Sequence, residues 1–362
     1  MQTHTPLATV RNGRLASQWL ATLAPLLHTA LALALTIAAF SLFVAFVGQN
    51  PVEVWRLLYQ GAFSNAFSWQ NTLLRAAPLI LTAMAVVLPA QAGLVIIGGE
   101  GALVIGALSA AAFGYLVNGL PGMIGLIAML VAGALAGGAW IALCGWLRSE
   151  RSVNETISSL LLSYIAVAVF NHLVEGPLRD PASLNKPSTP PISSAYAMGT
   201  LPGSDVHWGL VIGIAVAVVA YLFSRSTTGG FAARIVGGNP RAARMVGISV
   251  KKWLIGMCAA GGAAAGLAGA IEISAVHGSA NAGVIAGYGN AGILIAFIAR
   301  QNPLAVIPVA IVIGGINAAS GLLQRRLDMP DATVLVLQGI AFVSILALEA
   351  VRGKTFLPKV AP

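Results

Sequence analysis

Charge is scarce in this sequence. Of its 362 residues, 20 are Lys or Arg and 11 are Asp or Glu, so only 9% carry a formal charge. A soluble domain has about 25%, and the charge present here cannot cover a globule of this size. That argues against a soluble enzyme and a water-soluble nucleic-acid binder. The hydrophobic share, 57%, excludes disorder. Cysteine is equally sparse. Cys144 and Cys258 lie far apart in apolar runs, with no metal spacing and no disulfide framework, and both read as buried thiols. Catalytic clusters are missing too: His4, His28, His172, His207 and His277 are scattered or sit at the ends of apolar segments. Gly353–Lys354–Thr355 ends like a phosphate loop, but Leu348 stands where the first glycine is required and no strand precedes it. The chain reads as neither an enzyme nor a holder of its own cofactor.

What it has in quantity is apolar length. A membrane helix needs roughly 20 mostly apolar residues. The stretch Ala24–Val47 carries no formal charge and reads as an uncleaved first span. Apolar segments follow at 76–90, 93–116, 122–146, 156–174, 208–223, 253–275, 286–299, 304–323 and 332–349. The expected fold is all-α, a polytopic membrane helix bundle of about ten transmembrane helices. Its single membrane domain spans 24–350, between an N-terminal segment, 1–23, and a tail, 351–362. At least one helix should be broken or short. Segment 286–299 opens with Gly287, Gly289, Asn290 and Gly292, and the pair 76–90 and 93–116 is parted only by Gln91 and Ala92 after Pro89. Interrupted helices at membrane depth often mark a transport route.

The net charge of +9 reads as membrane topology and not as nucleic-acid binding, because basic residues collect on the cytoplasmic side of spans. With both termini cytoplasmic, ten spans leave Arg56, Arg75, Arg179, Lys186, Arg325 and Arg326 outside, and the other basic residues inside. The bias supports that orientation.

Two loops stand out. The outer loop, 175–207, holds Pro177, Pro181, Pro187, Pro190, Pro191 and Pro202; it is either a passive connector or a docking surface. The cytoplasmic loop, 224–252, has six basic residues and no acidic one. Asn239 is placed to cap a short helix with Pro240 at its first position, and Gly247 ends it. This loop is either a basic segment lying near anionic membrane lipid or a lever for a cytoplasmic partner. Gly133 with Gly137, and Gly262 with Gly266, have the spacing that lets helix backbones approach closely.

An ionisable residue inside a span is costly and points to function. Glu100 lies among Gly98, Gly99 and Gly101, where it could accept hydrogen bonds from a polyhydroxylated ligand or cap freed backbone amides. Glu272, nearer the outer end of its segment, is expected to reach water. Ser159, Ser163, Tyr164, Asn171, Asn317 and Ser320 are polar groups for the bundle interior, each read singly as a helix–helix hydrogen bond.

Three blocks carry a family likeness: GLVIIGGEGALVIGA from Gly93 to Ala107, NETISSLLLSYIA from Asn154 to Ala166, and GGNPRAARMVGI from Gly237 to Ile248. Together they resemble the inner-membrane permease subunit of ATP-binding-cassette importers for nucleosides and simple sugars, within the ribose and branched-chain-amino-acid permease group. The closing stretch, Asn302 to Leu348, is similar as well. The resemblance implies a bacterial inner-membrane importer with a second permease subunit, commonly a different chain, and an extracytoplasmic solute-binding protein. ATP and Mg would sit on a partner cytoplasmic ATPase. Candidates for the substrate path are Gly98, Gly99, Glu100, Gly101, Ser163, Tyr164 and Asn317. Candidates for coupling to the ATPase are Gly238, Asn239, Arg241, Ala242, Ala243, Arg244 and Gly247, with both arginines making polar contacts and both alanines packing closely. Ile96, Ala102 and Ser163 replace Asn, Gln and Asn of the family pattern, which leaves the ligand open. The competing class is a proton- or sodium-coupled secondary transporter, which needs an ionisable relay that two isolated glutamates hardly supply.

Overall fold

The chain was analysed as a computed structural model, which describes residues 30–352. Every apolar segment read from the sequence contains a helix among the described residues. The helices are α1 (Ala30–Phe46), α2 (Pro51–Phe63), α3 (Ala66–Gln91), α4 (Gly99–Leu116), α5 (Gly122–Arg151), α6 (Glu155–Glu175), α7 (Gly209–Ser226), α8 (Thr228–Gly238), α9 (Pro240–Met245), α10 (Val250–Glu272), α11 (Tyr288–Ile298), α12 (Pro303–Leu327) and α13 (Ala332–Arg352). Among the described residues there is no strand, only two isolated β-bridges.

Among the described residues seven helices are long and apolar enough to cross a membrane, or eight if α1 and α2, bent by 115°, are taken together as one span. The segments containing α11 and α13 are apolar but shorter. The expected ten segments thus exist as helices, while fewer of them meet the length of a full span.

Boundaries moved where polar residues masked a helix. The span expected from 76 begins at Ala66, because Asn65 accepts the Ser68 N–H at 2.8 Å and starts the helix early. Arg75, placed outside by the sequence reading, rides inside α3. Helix α2 went unread because Glu53, Arg56 and Gln60 interrupt its apolar run. Helix α8 was taken for loop.

The described residues fall into two compact units: Leu57–Leu322, and a smaller one formed by the described parts of Met1–Arg56 and Leu323–Pro362. In the smaller, the Trp55 indole N–H donates to Ser41 Oγ at 2.9 Å and its ring meets Phe40 edge-on at 5.4 Å. The Gln49 amide donates to the Leu327 carbonyl at 3.4 Å.

The larger unit is centred on α10, which packs on α3, α4 and α5. The glycine pairs read from the sequence meet there. A Cβ on Gly137 would lie 2.6 Å from the Gly262 carbonyl oxygen, and one on Gly133 would lie 3.1 Å from that of Gly266. Lipid tails are as apolar as leucine, so close backbone packing, and not water exclusion, must hold such helices together.

The 175–207 loop is laced into this unit. Thr189 and Ile192 donate backbone N–H bonds to the carbonyls of Ala280 and Gly278, at 2.9 and 2.8 Å. The Tyr196 side chain is fully buried, and its hydroxyl donates to the Val117 carbonyl at 2.7 Å.

Candidate functional site

Helix α3 stops at Gln91 and α4 starts only at Gly99. The break is therefore wider than the two residues read from the sequence. Pro89 lies in the last turn of α3, and Gly93 turns the chain with φ +77°, a backbone state that favours glycine. Non-helical backbone at membrane depth must find partners within the protein. Helix α6 supplies them. Thr156 Oγ1 donates to the Val95 carbonyl at 2.9 Å, and Ser159 Oγ accepts the Ile97 N–H at 3.0 Å. Asn154 caps α6 by accepting the N–H groups of Thr156 and Ile157, and Glu155 pairs with Arg148 at 3.3 Å. Gly98 and Gly101 let α6 approach: a Cβ on them would lie 2.6 Å from the Ser159 carbonyl oxygen and 2.7 Å from Ser163 Cα.

Glu100 follows in the first turn of α4 and is buried. One carboxylate oxygen accepts the Gly287 N–H at 2.9 Å and the other the Gly289 N–H at 2.5 Å. These amides open α11. Thr82 Oγ1 on α3 donates to the Tyr288 carbonyl at 2.9 Å. Two helix N-termini thus meet at one carboxylate. Each carries about half a positive charge from its aligned peptide dipoles, and its first amides lack intrahelical acceptors. The Glu100 carboxylate lies in the first turn of α4 and accepts the opening amides of α11.

The segment between α7 and α10 is two helices, not one. Thr227 Oγ1 accepts the Gly230 N–H at 3.0 Å and starts α8. Asn239 Oδ1 then accepts the N–H groups of Arg241 and Ala242, at 3.0 and 3.1 Å, and starts α9 with Pro240 at its first position. Gly247, at φ +81°, ends it. Helix α8 abuts the break: a Cβ on Gly237 would lie 2.6 Å from the Gln91 carbonyl oxygen and 2.8 Å from the Gly93 nitrogen. All three family-like blocks therefore converge on residues 91–101.

Residues 68–346 match the family described as the permease component of the branched-chain amino acid transport system. The chain belongs to that family. A glucose ABC transporter permease of Haloferax volcanii is 32% identical, over 84% of this chain and 83% of its own. Two guanosine ABC transporter permeases of Bacillus subtilis are 28% and 27% identical, over 91% and 80% of this chain and 95% and 92% of their own. The protein is a permease subunit of an ABC importer, a membrane transport component and not an enzyme.

In this permease the expected residues are partly gathered. Gly98, Gly99, Glu100, Gly101 and Ser163 surround the break. Tyr164, next to Ser163, turns away on the outer face of α6 and is 65% exposed. Asn317 is half-buried on α12, where its carbonyl accepts the Ser320 hydroxyl at 3.0 Å. On α9, Arg241, Ala242 and Arg244 are exposed, but Ala243 is buried in its own chain. The expected packing of Ala243 on a partner is thereby corrected. Met245 and Val246, 87% and 68% exposed, are the apolar groups presented instead. Glu272 does not reach water: it is 3% exposed, 3.7 Å from His277 Nε2. Ile96 and Ala102, two departures from the family pattern, lie in a buried apolar cluster with both cysteines.

Sequence reasoning missed the grip of Thr156 on the break and the contact of Gly237 with it. The signal for the second was the Gly237–Gly238 pair just before the Asn239 cap.

Proposed function

We propose that this permease imports a small, uncharged polar solute, a nucleoside or a simple sugar. The names of its relatives, two for guanosine and one for glucose, support that substrate class. The observation that carries the mechanism is the contact of Gly237 with the break at Gln91–Gly93. Helix α9 begins three residues later, so a push on α9 has a direct route into the α3–α4 break.

In this reading both termini lie in the cytoplasm, and the membrane is the bacterial inner membrane. A cytoplasmic ATPase, carrying ATP and Mg, grips α9 through Arg241, Ala242, Arg244, Met245 and Val246. Gly238, Asn239 and Gly247 give α9 its ends, and Ala243 anchors it to the chain. A second permease completes the path. It is a different chain, as the two distinct guanosine permeases of one organism suggest. An extracytoplasmic binding protein delivers solute to the 175–207 loop. Gly98, Gly99, Gly101, Ser163, Tyr164 and Asn317 contribute to the path wall, and Glu100 holds that wall in shape from behind.

The test is to tag the chain, solubilise it from its native membrane and identify what copurifies by mass spectrometry. An ABC ATPase with a second, different permease is expected, and the associated binding protein is then screened with nucleosides and sugars. Recovery of this chain alone, with uptake indifferent to ATP depletion but collapsed by an uncoupler, would instead mean an ion-coupled transporter.

A further inference from the structure

A cavity of about 480 Å³ opens where α3, α7 and α8 end beside the turn between α11 and α12. Arg225, Arg234 and Arg300 line it, with Ser224, Gln91 and Asn302. Among the described residues, no carboxylate lines it. Arg225 lies over the Tyr221 ring, 5.8 Å from its centroid, which fixes the guanidinium while leaving its edge donors available. Ser224 is buried, and its hydroxyl oxygen has no hydrogen-bond partner among the described residues. A buried polar group without a partner is destabilising, so this hydroxyl marks a place where a ligand atom is wanted.

Guanidinium groups lining one cavity match the oxygens of phosphate in charge and in planar, two-pronged geometry. The solutes named for the relatives, guanosine and glucose, carry no charge and do not call for a cationic cavity lined by Arg225 and Arg234. We propose that this cavity binds a phosphate-bearing anion, supplied by an anionic phospholipid headgroup or by soluble phosphate. Arg225 closes α7, Arg234 belongs to α8, and Arg300 follows α11. An anion held among them ties those three elements together. The Gln91 amide, which donates to the Gln301 carbonyl at 3.3 Å, joins the cavity wall to the α3–α4 break. Occupancy would therefore stiffen the support against which α8 moves. The inference rests on the proposed uncharged solute, which is what excludes the transported solute itself as the anion of this cavity.

The test uses the full chain, purified in detergent with its copurifying partners and stripped of loosely held lipid. Its unfolding midpoint is followed against sodium phosphate, dioctanoyl phosphatidylglycerol and, at matched ionic strength, sodium chloride. Phosphate or the phosphatidylglycerol should raise the midpoint where chloride does not. A response to the lipid alone assigns a headgroup, to phosphate alone a soluble anion, and to both the shared phosphate group. The Arg225→Gln/Arg234→Gln variant should need about tenfold more ligand or greater for the same shift, as expected for lost charge-assisted hydrogen bonds. Ser224→Ala removes one donor with no change of charge and should weaken binding to a smaller extent, which covers the case of a misfolded double variant. No shift in the wild type, or equal shifts in the wild type and both variants, overturns the proposal.

Discussion

Gly93 and Gly237 meet backbone to backbone: a Cβ on Gly93 would lie 2.9 Å from the Gly237 carbonyl oxygen. No side chain intervenes, so no rotamer change can absorb a displacement of α8. Packed interiors respond to small shifts by moving between discrete arrangements, not by deforming smoothly. This contact lies between α9, which follows α8 in the chain, and the break that leads to Glu100.

Gly237→Ala tests it directly. The new methyl would press on the Gln91 carbonyl oxygen from 2.6 Å, and the backbone must shift. Uptake should fall about tenfold or more, equivalent to about 1.4 kcal/mol in the coupled step, while ATP hydrolysis by the assembled transporter persists. Gly256→Ala is the control, since its added methyl meets nothing within 4 Å. Equal uptake in both variants would remove the transmission role.

Arg241→Glu reverses a charge on an exposed helix face and touches nothing in the core. Its amount in the membrane should match wild type, and surface substitutions usually stay within about 0.5 kcal/mol of it in stability. Uptake and solute-stimulated ATP hydrolysis should both fall. Asn239→Ala should give a milder loss, because removing a helix cap costs about 1 kcal/mol and frays α9 without changing its charge. Normal uptake by Arg241→Glu would show that α9 is not the contact.

Glu100→Gln separates a cap from a ligand contact. The amide keeps one oxygen but turns its NH2 group toward a backbone donor. One of the Gly287 and Gly289 N–H groups then loses its acceptor, at about 1–3 kcal/mol. The variant should unfold at lower temperature and accumulate less complex, with the KM for uptake unchanged in what remains. A raised KM at unchanged stability would make Glu100 a ligand contact.

The positions of the helices were legible because apolar runs between charges are the membrane's own requirement. The glycine pairs of α5 and α10 were legible for a similar reason, since their spacing has one physical use. Glu100 was found as a costly buried charge, but its partners were not, because Gly287 and Gly289 are 187 and 189 residues away and engage it through backbone, not side chain. Thr156 was invisible for a different reason: it looks like any residue in the first turn of a helix, and only the fold shows Val95 beside it. Ala243 was misread because a helix of six residues is too short for its pattern to tell the inner face from the outer.

His207 predicts a pH response in the 175–207 loop. Its Nδ1 accepts the Gly209 N–H at 3.1 Å, and its Nε2 is buried with no partner among the described residues. Burial lowers its pKa below the usual 6.5. The unfolded loop therefore binds a proton first as pH falls, and the folded loop loses relative stability below about 6.5. Above that pH the contribution is constant. Limited proteolysis between residues 175 and 207 should quicken from pH 7.5 to pH 5.5. His207→Asn, which retains an acceptor near Gly209 but cannot take the proton, should flatten that rise. A rise of the same size in both would place the pH sensor elsewhere.

Gly137→Ala probes what holds α5 to α10. The added methyl would lie 2.6 Å from both the Gly262 carbonyl oxygen and Gly266 Cα, and both of those neighbours are backbone. In water such a helix pair could separate slightly and still be driven together by apolar burial. Inside a bilayer that drive is absent between helices, and close packing carries the association. Overpacking costs about 1–3 kcal/mol in a well-packed core, and here no solvent term offsets it. Gly137→Ala should lower the unfolding midpoint by a few degrees, since the shift is about 2–4 °C per kcal/mol for domains of about 150–250 residues and falls as the chain lengthens. Gly256→Ala, on the same α10 but in open space, should leave it within a degree. If both behave alike, the glycine contacts are incidental, and the α5–α10 pair is held by its larger side chains.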